Sequence, residues 1–255
     1  MDGVLSQEEI NALLNNNDAA DSSDEILTES EKDAIGEIAN ISMGTAATTL
    51  FSLVNRRVEI STPVVSFSNW DKIVDEYEKP CVFIKIGYTQ GLNGSNILVL
   101  KEKDVKIITD LMMGGDGTNI NGEIGELHLS AISEAMNQMM GSSATSLSSM
   151  LNRTIDISPP IAEVVDLKNT LNEGEIDSFL SEEFVKISFH MEIGDLVDSE
   201  IMQLYPPAFV KEMCKGVSQN MELDTQSVTE DVPQSSNTAT QAAPIQQPQD
   251  SGSMN

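Results

Sequence analysis

Residues 33–54, DAIGEIANISMGTAATTLFSLV, repeat their apolar side chains at a helical period. On a helix with Asp33 at 0°, Ile35, Ile38, Ala39, Ala46 and Leu53 fall between roughly 140° and 240°, Glu37 near 40° and Asn40 near 340°. The pattern predicts a long amphipathic helix whose core face lies opposite a polar stripe of Asp33, Glu37 and Asn40. That stripe continues through Gly44, Ala47 and Thr48, all small. The same helix is written again at a constant offset of 97: Ala34, Ile35, Glu37, Asn40, Gly44, Asn55, Arg56 and Pro63 recur as Ala131, Ile132, Glu134, Asn137, Gly141, Asn152, Arg153 and Pro160.

Strand-like text follows each helix. In the first copy it is CVFIKIGYTQ and GSNILVLK, then the helical KDVKIITDLMMGG; in the second it is EFVKISFHMEI and DSEIMQLY, then PPAFVKEMCKG. The runs are short, apolar or alternating, and joined by tight turns, which predicts antiparallel hairpins. Two copies of helix, hairpin and helix predict an α+β domain with pseudo-twofold symmetry, an antiparallel sheet with long helices packed on it and a core shared between the halves. Its expected span is 31–216, as pseudo-repeats of about 31–115 and 128–216. Residues 1–15 read as one short helix and 16–30 as a flexible acidic linker. Residues 217–255 end in Gln, Ser, Pro and Ala and read as a disordered linker.

Composition narrows the partners. The formal net charge is −27 over 255 residues, with a pI of about 4.1. Nucleic acid and anionic membranes both call for a basic surface, so neither is expected. No apolar run reaches 18 residues, and no basic-then-apolar segment suggests a signal peptide. Cys81 and Cys214 match no metal spacing and read as buried, reduced thiols.

The polar stripe is the candidate site. Glycine in a helix interior costs about 1 kcal/mol relative to Ala, and the chain accepts this at both Gly44 and Gly141. A flat strip carrying a carboxylate and a carboxamide, kept in both copies, suggests a docking surface for another macromolecule. No nucleophilic Cys with Arg and no two-metal carboxylate/His pattern is visible. His128, just before the second helix, reads as a cap or packing residue, and His190 lies in an unrelated context. A carboxamide both donates and accepts hydrogen bonds, so Asn40 and Asn137 are each suited to holding a water or a partner's polar group. Three other readings stay open at this point. They are a binding module without catalysis, a general-base role for the Glu, and a metal-dependent hydrolase using Asp33, Glu37 and Asn40 as oxygen ligands.

The spacing Asp/Ser-x-x-x-Glu-x-x-Asn, with Pro beyond it, occurs as Asp33, Glu37, Asn40 and Pro63, and again as Ser130, Glu134, Asn137 and Pro160. It resembles the signature of the CheC, CheX and FliY phosphatases of bacterial chemotaxis. The resemblance implies a protein phosphatase that hydrolyses the aspartyl-phosphate of the response regulator CheY at the flagellar motor switch. Glu37, Asn40, Glu134 and Asn137 are then the catalytic residues. Each Glu engages the regulator's Lys, and each Asn orients a water. Asp33 and Ser130 support docking, and Pro63 and Pro160 are structural, each preceding a strand. No cofactor of the chain's own is implied, Mg²⁺ being expected on the CheY substrate.

The N-terminal LSQEEINALL resembles the regulator-binding segment of the motor-switch members of this family and of FliM. Ser6 and Glu9 form a capping box, Leu5 and Ile10 a hydrophobic staple, and Ile10, Leu13 and Leu14 an apolar face. A helix this short is marginal alone in water and is expected to order in a partner's groove. The resemblance further implies FliM, FliG and a FliN-like domain as partners, at the cytoplasmic face of the flagellar basal body. Family members continue into a C-terminal FliN-like domain that these residues lack, so the sequence is expected to be either part of a longer protein or an atypical member.

Overall fold

A computed structural model describes residues 26–77, 80–167 and 173–227. The expected N-terminal helix, with Leu5, Ser6, Ile10, Leu13 and Leu14, lies outside the described residues.

The two long helices are α1, Glu29–Val54, and α4, Glu126–Leu151. Each ends on an asparagine in the left-handed region, Asn55 at φ 48° and Asn152 at φ 47°. Asparagine tolerates this conformation better than most residues, which explains why the pair recurs in the repeat. At the start of α1, Thr28 and Glu31 form a capping box, each side chain bonding the other's backbone N–H. At the start of α4, His128 Nδ1 accepts from the Gly125 N–H at 3.2 Å, the capping role expected of it.

The helices pack side by side and antiparallel. Thr45 pairs its hydroxyl with Ser146, and Thr49 donates to Ser142, both at 2.8 Å. Positions 45 and 142 are equivalent in the repeat, as are 49 and 146. The contact is therefore reciprocal, and an approximate twofold axis passes between the helices.

Among the described residues eight strands form one antiparallel sheet: β1, Val58–Ile60; β2, Val64–Ser68; β3, Cys81–Gln90; β4, Gly94–Lys101; β5, Asp156–Ile157; β6, Ile161–Val165; β7, Phe184–Ile193; and β8, Val197–Tyr205. The hairpins β3–β4 and β7–β8 are those expected. They meet where β4 pairs with β8, Leu98 opposite Gln203. The short strands were not legible, and their pairing is exchanged between halves. β1 and β2 of the first copy pair with β7 of the second, while β5 and β6 of the second pair with β3 of the first.

The shared core lies between the sheet and the helices α1, α3 (Glu102–Met112), α4 and α5 (Pro207–Ser227). The opposite sheet face is also covered, by α2 (Trp70–Glu76) and two 3-10 turns near residues 173–181, over Trp70, Phe83, Leu180 and Phe184. Burial on both faces is the reason the central strands read as continuous apolar runs.

Three expectations need correcting. Residues 26–30 are not linker: Leu27 is fully buried in the core and Thr28 caps α1. Residues 217–227 are not a disordered tail but the end of α5. Ala47 does not lie on an open stripe. It is buried at the stripe's margin, where β1 packs against α1.

Candidate functional site

The two signature sets occupy corresponding places. In the second copy Ser130, Glu134 and Asn137 of α4 line a groove of about 430 Å³, closed on its other side by Pro159, Pro160, Ile161 and Ala162. In the first copy Asp33, Gly36 and Glu37 of α1 line a groove of about 380 Å³ opposite Thr62, Pro63 and Val65. Asn40, half-buried, lies one turn further along the same face, beyond that lining. Tertiary structure thus sets each Glu, and in the second copy the Asn too, across from a proline 23 residues past that Asn. The proline immediately precedes β2 or β6, as expected of a structural residue.

Glu37 and Glu134 are exposed, and Asn40 and Asn137 half-buried. Helical periodicity puts Glu and Asn, three apart, on neighbouring turns of one face. The copies differ in their surroundings. Gln138 Nε2 donates to Glu134 Oε1 at 2.8 Å, whereas the equivalent of Gln138 in the first copy is Ile41. Lys32, which borders the first groove, pairs with Glu29 and lies over the Phe67 ring, 5.3 Å from its centroid. Its equivalent in the second copy is Leu129, and no basic side chain lines that groove.

Because the helices are antiparallel and cross near residues 47 and 144, the sites face opposite ends of the pair. At a rise of 1.5 Å per residue Asn40 and Asn137 are separated by about 20 Å along the axis. That spacing keeps the two sites distinct.

Other nucleophiles are poorly placed. Burial pushes the Cys81 thiol up to about 12 and the Cys214 thiol up to about 11. Neither is a thiolate near neutral pH, the form in which cysteine attacks. His190 lies half-exposed on β7 within 3.1 Å of Glu192 and lines neither groove.

Sequence reasoning missed the residues across each groove: Thr62 and Val65 in the first copy, Pro159, Ile161 and Ala162 in the second. The one available signal was the repeat itself, which extends through the prolines.

Set against known proteins, residues 31–67 and 127–164 match the CheC-like family, in two stretches running from each long helix through the strand after its proline. A crystal structure of Thermotoga maritima FliY superimposes with a TM-score of 0.70 at 42% identity, over 76% of this chain and 99% of that one. The chain belongs to the CheC-like family. Its membership covers both halves and both signature sets. Among curated relatives, the flagellar motor switch phosphatase FliY of Bacillus subtilis (strain 168) is 47% identical over 218 residues, 84% of this chain. The chain spans 57% of that relative's length. The CheY-P phosphatase CheC of the same organism is 24% identical over 143 residues, 54% of this chain and 67% of that protein. Among the described residues no helix is long and apolar enough to cross a membrane.

Proposed function

We propose that this chain is a phosphatase for the aspartyl-phosphate of CheY, working at the flagellar motor switch through two Glu/Asn sites. The observation that carries this reading is the doubled groove, in which an exposed helix Glu faces a sequence-distant proline beside a half-buried Asn. The names of its relatives, a motor switch phosphatase and a CheY-P phosphatase, support it.

The chemistry asks little of the chain itself. Phosphoryl transfer is governed by positioning and electrostatics. The Asn carboxamide holds a water through its paired donor and acceptor. That water attacks the phosphorus, the P–O bond to the aspartyl oxygen breaks, and its electron pair returns to the carboxylate. The products are inorganic phosphate, a free aspartate and a proton released to solvent. Glu37 and Glu134 would repel a bare phosphoryl group, so their partner is a cation, the regulator's lysine. The Mg²⁺ belongs to the substrate and neutralises its phosphoryl oxygens. FliM, FliG and a FliN-like domain are the switch components with which such a phosphatase assembles, at the cytoplasmic face of the motor.

The test is phosphate release from phosphorylated CheY. Wild type accelerates it; Asn40→Ala and Asn137→Ala each lower the rate. The double variant, with unchanged circular dichroism, falls by about 100-fold or to the regulator's own rate, the scale of loss expected when a reacting group is no longer positioned. A double variant that keeps most of the activity would refute the site assignment. A wild type that binds CheY without accelerating release would leave a binding module of the switch.

A further inference from the structure

Among the described residues, seven large apolar side chains stand exposed: Ile41, Phe51, Val64, Met113, Leu127, Ile161 and Val164. Singly exposed apolar residues are ordinary on a protein surface, but the repeat offers an internal control. At the offset of 97, Ile41 corresponds to Gln138, Phe51 to Ser148, Leu127 to Ser30 and Val164 to Phe67, which is not exposed. Val64 and Ile161 correspond to each other, and they are 65% and 68% exposed.

Their places in the sheet match as well. Each follows the signature proline and opens a strand, β2 or β6. Each strand pairs on one side alone, β2 with β7 and β6 with β3, so both are edge strands among the described residues. Register places Val64 opposite Ser188 and Ile161 opposite Lys85. Ile161 lines the second groove with Glu134 and Asn137, while Val64 stands between Pro63 and Val65, which both line the first.

We propose that Val64 and Ile161 are apolar anchors by which the phosphorylated regulator docks, one at each site. This rests on the phosphatase reading and names a part of the docking surface that the Glu/Asn signature does not contain. The occupant follows from continuity and charge. Ile161 lines a groove that has an exposed carboxylate and no basic lining residue, and Val64 sits between two residues that line the equivalent groove, so the matching partner brings a cation. A second copy of a chain of net charge −27 would bring like charge instead. Val and Ile are stiff at χ1 and lose little freedom when buried in an interface. They are positioning residues, touching the partner's surface and not its phosphoryl group.

The test reads each site alone. Asn137→Ala leaves the first site active and receives Val64→Ser; Asn40→Ala leaves the second and receives Ile161→Ser. Steady-state hydrolysis is measured against phosphorylated CheY, and binding is titrated with CheY carrying beryllofluoride, a phosphoryl mimic that is not turned over. The expected result is a KM and a Kd raised about tenfold, the loss typical of an interface anchor. The kcat and the thermal midpoint stay unchanged, and Val64→Ile restores the first site. An unchanged KM and Kd overturns the proposal, as does a fall in kcat at constant KM. So does sedimentation showing that the serine variants dissociate a dimer of this chain. If wild type binds the mimic but does not hydrolyse, the phosphatase reading fails while a weakened Kd still upholds docking. If wild type binds neither form, both fail.

Discussion

At the scale of single residues, the repeated glycines show how position separates a structural cost from a functional one. A Cβ built on Gly44 or Gly141 meets nothing within 4 Å. Neither glycine is therefore needed for packing inside the domain, and each remains on the face that carries Glu and Asn. Replacing either by Ala removes the helix penalty of glycine and raises stability by about 0.5–1 kcal/mol. For a domain of this size that shifts the thermal midpoint upward by about 1–4 °C. Leucine keeps most of the gain but fills the docking surface. Gly44→Leu in an Asn137→Ala background should therefore keep its midpoint and lose most of its affinity for phosphorylated CheY. A large fall in the midpoint would mean that the glycine packs inside the domain after all.

At the scale of elements, α3 carries a charge that its surroundings do not favour. Asp104, in its first turn, is 4% exposed and has an unpartnered Oδ2. Burial raises its carboxyl above the usual range, an effect only partly offset by the Ser199 hydroxyl and by Lys101 and Lys103. The folded state thus holds this proton more tightly than the unfolded chain does. Stability falls as the pH rises from the ordinary carboxylate range through the raised folded value, because the buried group must then ionise. Asp104→Asn removes that ionisation. Its urea midpoint should exceed that of wild type at pH 7, with the gap narrowing as the pH approaches 4. A gap that is constant with pH, or a less stable variant, would show that the carboxylate is satisfied where it stands.

At the scale of the molecule, the exchanged strands decide how the domain behaves as a unit. Each half places its short strands on the other half's hairpin. Its long helix also needs the other's hydroxyls and apolar face. Neither half buries its own core. A fragment of residues 26–117 should remain unfolded by circular dichroism, whereas residues 26–227 should unfold in one cooperative transition, followed in parallel by circular dichroism and tryptophan fluorescence. Trp70 reports from the sheet's outer face. Two separated transitions would show halves that fold alone. The same exchange builds the sites, since the strand after each signature proline is anchored on the opposite repeat.

The duplication, the two amphipathic helices, the paired Glu/Asn faces and the two hairpins were legible from the chain alone. Each is carried by local periodicity or by a constant offset, and an α-helix or tight hairpin is fixed mainly by neighbours in sequence. The strands β1, β2, β5 and β6 are two to five residues long. That is too short for a period to register, and their partners lie more than 60 residues away. The domain's edges escaped for a related reason: Leu27 is apolar in an acidic context and becomes core only through its packing in the shared core. Ala47 is small enough to suit an open stripe or a buried margin, and the packing of β1 chose the margin. Sequence by itself determined which residues share a helix face. Only the tertiary structure decided what stands across from that face, because strand pairing between the halves is a non-local contact that no stretch of the chain encodes alone.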